Sequence, residues 1–272
     1  MTTNTITPKI NFTAELPALF DLTGKVAYLP GGYGGIGEAL AWGLALRGAS
    51  VVISGRTAEK ANKLAAELKA AGCEATATAV DVKSVAEIRD SVDFVVDFYG
   101  SVDILVNCIG IQIEQPLLEV TEAAYDEVYA INLKAAMFLG QAAARHQVEA
   151  GRGGKQIHLL SVRSYLGLRD RGYSAYCSTK GGLVLLIKQH AMELARHQIT
   201  VNGIAPTFTY TDMIRHVMEN HEFRATLLER IPLGRIADPK DIVGATVFLA
   251  APASDFITGQ IIYIDGGITA GQ

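Results

Sequence analysis

From residue 25 onward, short apolar runs alternate with longer segments of helical period, and this alternation narrows the fold more than any other feature. The runs KVAYL (25–29), SVVIS (50–54), EATATAV (74–80), DILVN (103–107), KQIHLL (155–160), ITVNGI (199–204) and QIIYI (260–264) read as buried strands. Between them the spacing predicts helices over 36–47, 58–71, 85–98, 122–149, 174–196 and 239–250. Strands separated by helices rather than tight turns form parallel βαβ units, with helices on both faces of the sheet. The expectation is an α/β, single-domain, doubly wound fold around a seven-stranded parallel sheet. The 272 residues contain no internal repeat or linker, so residues 20–272 are read as one domain preceded by an N-terminal arm, 1–19.

The first strand runs into PGGYGGIG (30–37), which opens the first helix. Gly31, Gly35 and Gly37 allow a tight turn, close backbone approach to a pyrophosphate and close helix–strand packing. The helix N-terminus offers free N–H groups to an anion. Tyr33, Gly34 and Ile36 complete the turn and join the candidate cofactor contacts. This context makes the fold Rossmann-type. Where a carboxylate would bind the 2′-hydroxyl of NAD, the second strand ends in Ser54-Gly55-Arg56. Ser54 and Arg56 suit a 2′-phosphate, which favours NADP(H), with NAD(H) as the alternative.

Tyr176 and Lys180 lie four residues apart, on one face of the helix expected over 174–196. A free tyrosine has a pKa of about 10. A nearby cation favours the phenolate and makes the residue a usable acid–base. No basic stripe accompanies the net charge of −4, so nucleic-acid binding has no support. Cys73, Cys108 and Cys177 form no disulfide framework, which fits a reducing, cytoplasmic location. No apolar run is long enough for a membrane span. His146, His158, His190, His197, His216 and His221 show no metal-ligand spacing, and no metal site is expected.

Together these motifs resemble the short-chain dehydrogenase/reductase family from about Phe20 to the C-terminus. The glycine turn is followed in family order by Asp81-Val82, Asn107-Cys108-Ile109-Gly110, Asn132, Ser161, Tyr176-x-x-x-Lys180, APTFTYTDM (205–213) and IYIDGG (262–267). The resemblance implies that Tyr176 is the acid–base at the substrate oxygen, which Ser161 holds. Lys180 would bind the nicotinamide ribose and lower the Tyr176 pKa, and Asn132 would keep a water in the proton path. Asp81 and Val82 would contact the adenine, and Asn107 and Gly110 would line the cofactor at the strand end. Pro206, Thr207, Thr209 and Thr211 would meet the cofactor at the start of a substrate lid spanning about 207–230. Ser164 competes with Ser161 as the catalytic hydroxyl; Ser161 is preferred because it directly follows the strand. Three positions depart from the family pattern: Pro30 for Thr, Cys108-Ile109 for Asn-Ala, and Thr207 for Gly. Pro30 has no donor, and apolar packing on Cys108 or Ile109 is expected to replace the lost tie.

The resemblance thus implies an NAD(P)-dependent enzyme that interconverts a secondary alcohol and a ketone. The whole chain looks most like the gluconate 5-dehydrogenase branch acting on sugar acids, sugars or polyols. The alternatives are a 3-oxoacyl-carrier-protein reductase and a catalytically silent cofactor-sensing or structural homologue. Arg163, Arg169 and Arg171 in the loop before Tyr176, and Arg215 in the lid, are candidate contacts for an anionic substrate. The segments 133–144 and 181–187 are apolar almost all round, so a homotetramer or homodimer through helices 122–149 and 174–196 is expected, burial within the same chain being the alternative.

Overall fold

The computed structural model describes residues 11–211 and 221–271. Seven parallel strands form one sheet in the order β3-β2-β1-β4-β5-β6-β7. They are β1 (Val26–Pro30), β2 (Ser50–Gly55), β3 (Ala75–Ala79), β4 (Ile104–Asn107), β5 (Gly154–Leu159), β6 (Ile199–Pro206) and β7 (Ile261–Ile264). Each overlaps the apolar run expected to form it. The helices are α1 (Phe12–Ala18), α2 (Gly35–Ala45), α3 (Ala58–Ala70), α4 (Val85–Tyr99), α5 (Glu122–Tyr129), α6 (Ala135–Ala150), α7 (Ser174–Leu194), α8 (His221–Glu229) and α9 (Lys240–Ala250). Among the described residues, no helix is long and apolar enough to cross a membrane.

Alternate residues of each strand point to opposite faces. On one face Ala27, Leu29, Val51 and Ile53 pack under Leu40 and Leu44 of α2, Leu64 and Leu68 of α3, and Leu249 of α9. On the other, Val26, Tyr28, Val52 and Leu105 meet Ile88, Val92 and Val95 of α4 and Leu139 of α6. Farther along that face, Val201 and Ala205 pack with Leu183 and Ile187 of α7. The chain leaves β1 toward β2 on one side and reaches β4 on the other, which opens a crevice beyond the carboxyl ends of β1 and β4.

The sequence differs from the observed elements in three places. The helix expected over 122–149 is interrupted by a π-helical turn, Ala130–Lys134, which contains Asn132. The N-terminal arm contains α1, and the expected lid contains α8. Residues 212–220 of that lid, with Arg215 and His216, lie outside the described residues.

Pro30 ends a central strand, where its missing N–H has a consequence. The β1–β4 register pairs Tyr28 with Leu105, and Cys108 N donates to Pro30 O at 2.9 Å. In a parallel ladder continuing this register, residue 30 would donate to Val106 O. Proline cannot, and the Cys108 thiol donates to Val106 O instead, at 3.6 Å. The two segments adjoin as expected, with a thiol hydrogen bond as the compensating contact. Gly31 packs beside them: a Cβ there would lie 3.0 Å from Ile109 Cδ1 and 3.1 Å from the Cys108 carbonyl.

Candidate active site

The glycine turn is tight because three positions exclude a Cβ. Gly31 has φ +78°, and Gly35 has φ +31°. A Cβ on Gly37 would lie 2.6 Å from Gly31 O, so α2 starts against the backbone of the turn. Gly34 caps α2 without a side-chain bond, and Gly34 and Gly35 are exposed. Ile36 is half-buried against the core. Thr211 closes over the turn, since a Cβ on Gly35 would lie 2.6 Å from its Cγ2. Pro206 ends β6, and Thr209 Oγ1 donates to Thr207 O. The Thr207 hydroxyl is buried without a partner. A cradle with no room for side chains, an uncapped helix end and a buried hydroxyl without a partner just beyond β6 fit a dinucleotide.

At the far end of that cradle, Ser54 departs from expectation. It is fully buried, and its hydroxyl donates to Tyr28 Oη at 2.8 Å, which in turn donates to Ser91 Oγ at 2.8 Å. The Ser54 side chain therefore points into the core and cannot reach a 2′-phosphate. Arg56 is exposed at the end of β2. Beside it, Thr57 caps α3 with its hydroxyl free of any cap bond, and its N–H donates to Tyr33 Oη at 3.2 Å. The Tyr33 ring seats on Gly55, where a Cβ would lie 2.4 Å from Cε1. Gly55, which ends β2, and Thr57, which caps α3, were not singled out in the sequence; a Gly and a Thr at a strand-to-helix junction are the signal that would have pointed to them. Asp81 follows β3 and accepts from Lys83 N at 3.0 Å, and Val82 is buried against α4.

Tyr176 and Lys180 sit one turn apart on α7, with the ammonium 5.7 Å from the ring centroid. Lys180 is buried and donates to Leu159 O, at the end of β5, at 2.7 Å. Burial, opposed by Cys108, lowers its pKa to about 8. Tyr176 is pushed up to about 12, chiefly by burial; the Ser161 hydroxyl hydrogen-bonded to it acts in the opposite direction. The expected lowering by Lys180 is not seen: the groups that favour the phenolate are Ser161 and, more weakly, Arg163, and desolvation outweighs them. Ser161 lies two residues beyond the last residue of β5, after Leu160, and accepts from Arg163 N at 3.2 Å. Ser164 instead faces Tyr263, with the two oxygens 3.3 Å apart. The structure brings Ser161, not Ser164, to Tyr176.

Asn132 is fully buried in the π-helical turn. Its amide accepts from Ile111 N at 2.8 Å and donates to Ile111 O at 2.9 Å and to Thr179 Oγ1 at 3.1 Å. Thr179 in turn donates to Tyr176 O. Asn132 therefore fastens the loop after β4 to the helix carrying Tyr176. Along that loop, a Cβ on Gly110 would lie 3.2 Å from Lys180 Nζ. Asn107 accepts from Ile109 N, and its Nδ2 lies 3.3 Å from His158 Nδ1.

The loop continues to a clasp with the segment before α7. Gln115 N donates to Gly172 O at 3.1 Å, and the Arg171 guanidinium pairs with the Glu114 carboxylate through two donors. Arg171 thus meets an acid of the same chain, contrary to its expected role toward substrate. Arg169 is exposed. Arg163 is 5% exposed and donates through Nη1 to Leu166 O and Gly167 O. Tyr173 stacks edge-on against Tyr176, with centroids 6.0 Å apart. Both amide atoms of Gln112, between Gly110 and the clasp, are buried without partners.

A family model described as enoyl-(acyl carrier protein) reductase matches residues 31–269. Two curated relatives are each 39% identical. One is 5-keto-D-gluconate 5-reductase from Escherichia coli (strain K12), covering 92% of this chain and 97% of the relative. The other is gluconate 5-dehydrogenase from Gluconobacter oxydans (strain 621H), covering 93% and 98%. A solved structure described as a gluconate 5-dehydrogenase from Burkholderia cenocepacia J2315 in complex with NADP and tartrate superposes with a TM-score of 0.90. It is 36% identical, covering 94% of this chain and 99% of that one.

Proposed function

The chain belongs to the short-chain dehydrogenase/reductase family, and we propose that it is an NADP(H)-preferring oxidoreductase that interconverts a secondary alcohol and a ketone on a sugar acid. The observation that carries the reaction class is the convergence of Ser161, Tyr176 and Lys180 at the end of β5, in the crevice beside the glycine turn. The 39% identity over nearly whole chains to two enzymes of 5-ketogluconate chemistry supports the substrate class.

The glycine turn 31–37, Asp81, Val82, Asn107, Gly110 and Lys180, with Pro206, Thr207, Thr209 and Thr211 opposite, would hold the dinucleotide. When bound, the nicotinamide supplies or accepts the hydride. Arg56 and the uncapped Thr57 end of α3 support a 2′-phosphate, and the NADP-bound relative agrees with that choice. Ser161 donates to the substrate oxygen and Tyr176 moves a proton to or from it. Lys180 orients the ribose side of the site, and the 207–230 segment acts as the lid. The free Cys73, Cys108 and Cys177 support a reducing cytoplasm. Exposed Tyr125, Tyr129 and Met137 on α5–α6, with Leu185 and Met192 on α7, support a homodimer or homotetramer.

The test follows NADPH and NADH oxidation with 5-keto sugar acids, simple ketones and acetoacetyl thioesters. Highest kcat/KM with NADPH and a keto sugar acid is expected. Activity on thioesters alone would transfer the assignment to acyl-carrier chemistry. Tyr176→Phe is expected to bind NADPH normally and to lose about 10²–10⁴-fold in turnover; near-normal turnover would remove Tyr176 from its role.

A further inference from the structure

A guanidinium taken out of water without an acid partner is costly, so a buried arginine needs an anion. Arg163 is such a group. It lies two residues beyond Ser161 and is 5% exposed. Its side-chain bonds are to two carbonyls, Leu166 O and Gly167 O, and both use Nη1. Among the described residues no carboxylate pairs with it, and Nε and Nη2 have no protein acceptor. Arg169, by contrast, is exposed to water, and Arg171 faces Glu114. Burial first, and then the proximity of Arg230, disfavour the Arg163 charge, while Cys177, Tyr173 and Tyr176 lie close enough to act on it electrostatically. The group is therefore both close to the reacting tyrosine and short of negative charge. In the loop after β4, the buried amide of Gln112 also lacks partners.

We infer that Arg163 is a specificity-determining residue that binds the carboxylate of the substrate through Nε and Nη2, its Nη1 bonds to the 166–167 backbone fixing the plane of the fork. A planar fork held by two carbonyls matches a carboxylate in two parallel bonds. This deepens the sugar-acid reading and rests on it for the identity of the natural substrate, but the anion site itself can be tested without that substrate.

Binding of tartrate, a small hydroxycarboxylate, to the NADPH-loaded enzyme is measured by calorimetry for the parent protein, Arg163→Gln and Arg163→Lys, with threitol as the uncharged probe. The parent is expected to bind tartrate and to bind threitol at least about tenfold more weakly. Arg163→Gln is expected to lose about 10- to 100-fold in tartrate affinity, and Arg163→Lys less, with NADPH affinity reporting an intact fold. Equal affinity for tartrate and threitol, or a Gln variant that folds and binds tartrate as the parent does, overturns the assignment. Should the Gln variant not fold, the tartrate–threitol comparison on the parent decides. Tartrate binding lost in Arg163→Gln while no sugar acid is turned over by the parent would sustain the anion site and reject the sugar-acid substrate.

Discussion

At the scale of single residues, two groups are held in unusual states by their neighbours. Cys108 supplies the donor that Pro30 withholds from Val106 O. A buried carbonyl left without a donor costs about 1–3 kcal/mol. Cys108→Ala is therefore expected to lower stability by about 1–2 kcal/mol. In a Pro30→Ala background, where a backbone N–H returns to the ladder, the same change should cost less. Urea denaturation of the four proteins gives the coupling; equal costs in both backgrounds would dismiss the thiol bond. His158 is the second group. It is fully buried, and burial, then His190 and Lys180, hold its pKa down at about 3. Between about pH 6.5 and pH 3 the unfolded chain binds a proton that the folded one refuses, so stability falls as pH falls through that window, by up to about 1.4 kcal/mol per pH unit. His158→Asn keeps an acceptor for Asn107 and removes the titration. Its stability at pH 5 should stand closer to its value at pH 7 than the parent's does; matching slopes would exclude His158 as the cause. Neither state was legible in sequence. Ser54 shows why: residues 52 and 54 share a strand face, but the sequence does not say whether that face meets cofactor or core, and Tyr28 turns it to the core.

At the scale of elements, strands and helices were legible because their periods differ, and nearly all sheet residues follow the apolar runs. The π-helical turn at 130–134 was not, because one extra residue per turn leaves the apolar pattern almost unchanged. The clasp between the loop after β4 and the loop before α7 was also hidden, since it joins residues 57 apart, partly through backbone groups that carry no sequence signal and partly through an ion pair between loops the sequence does not place together. Its parts differ in weight. The Arg171–Glu114 pair is partly exposed, with side chains 28% and 35% accessible, and such pairs contribute about 0–1 kcal/mol. At Gly172, a Cβ would lie 2.2 Å from the carbonyl carbon of Gln115, against backbone that cannot swing aside. Gly172→Ala must therefore part the two loops beside Tyr176, whereas Glu114→Ala leaves the backbone clasp in place. We expect Gly172→Ala to reduce kcat/KM by about 10- to 100-fold, because misplacement by about 1 Å is enough, and Glu114→Ala to change it by less than about fivefold. Steady-state kinetics with NADPH titrations on both variants separates these effects; the reverse ranking would place the weight of the clasp in the ion pair.

At the scale of the whole molecule, the order β3-β2-β1-β4-β5-β6-β7 explains why residues as distant as Gly31, Asn107, Ser161 and Thr207 share one crevice: each follows the carboxyl end of a strand or closes one. The helices proposed to carry the chemistry also present an apolar outer face. Leu185 on α7 is 69% exposed and Met192 77%, while Tyr129, Leu133, Met137, Phe138, Gly182 and Leu186, with Lys134 among them, line a cavity of about 340 Å³ between the helices. The apolar character of both segments was legible in sequence. Which of their residues stay uncovered depends on the packing of α6 and α7 against the sheet, which only the fold supplies. Water on so much apolar surface is unfavourable, and a second copy presenting the same helices would remove it symmetrically. The face also lies on the far side of α7 from Lys180, so a partner would bury it without obstructing the crevice and would brace the helix that aligns Tyr176. Leu185→Asp places a charge at its most exposed part on α7 between residues 181 and 187. Sedimentation velocity at micromolar concentration is expected to show an oligomer for the parent protein and a smaller species for Leu185→Asp. The thermal midpoint of the variant should be lower and depend less on concentration than the parent's. A parent protein that sediments as a monomer would mean that α5–α7 keep their apolar face in water.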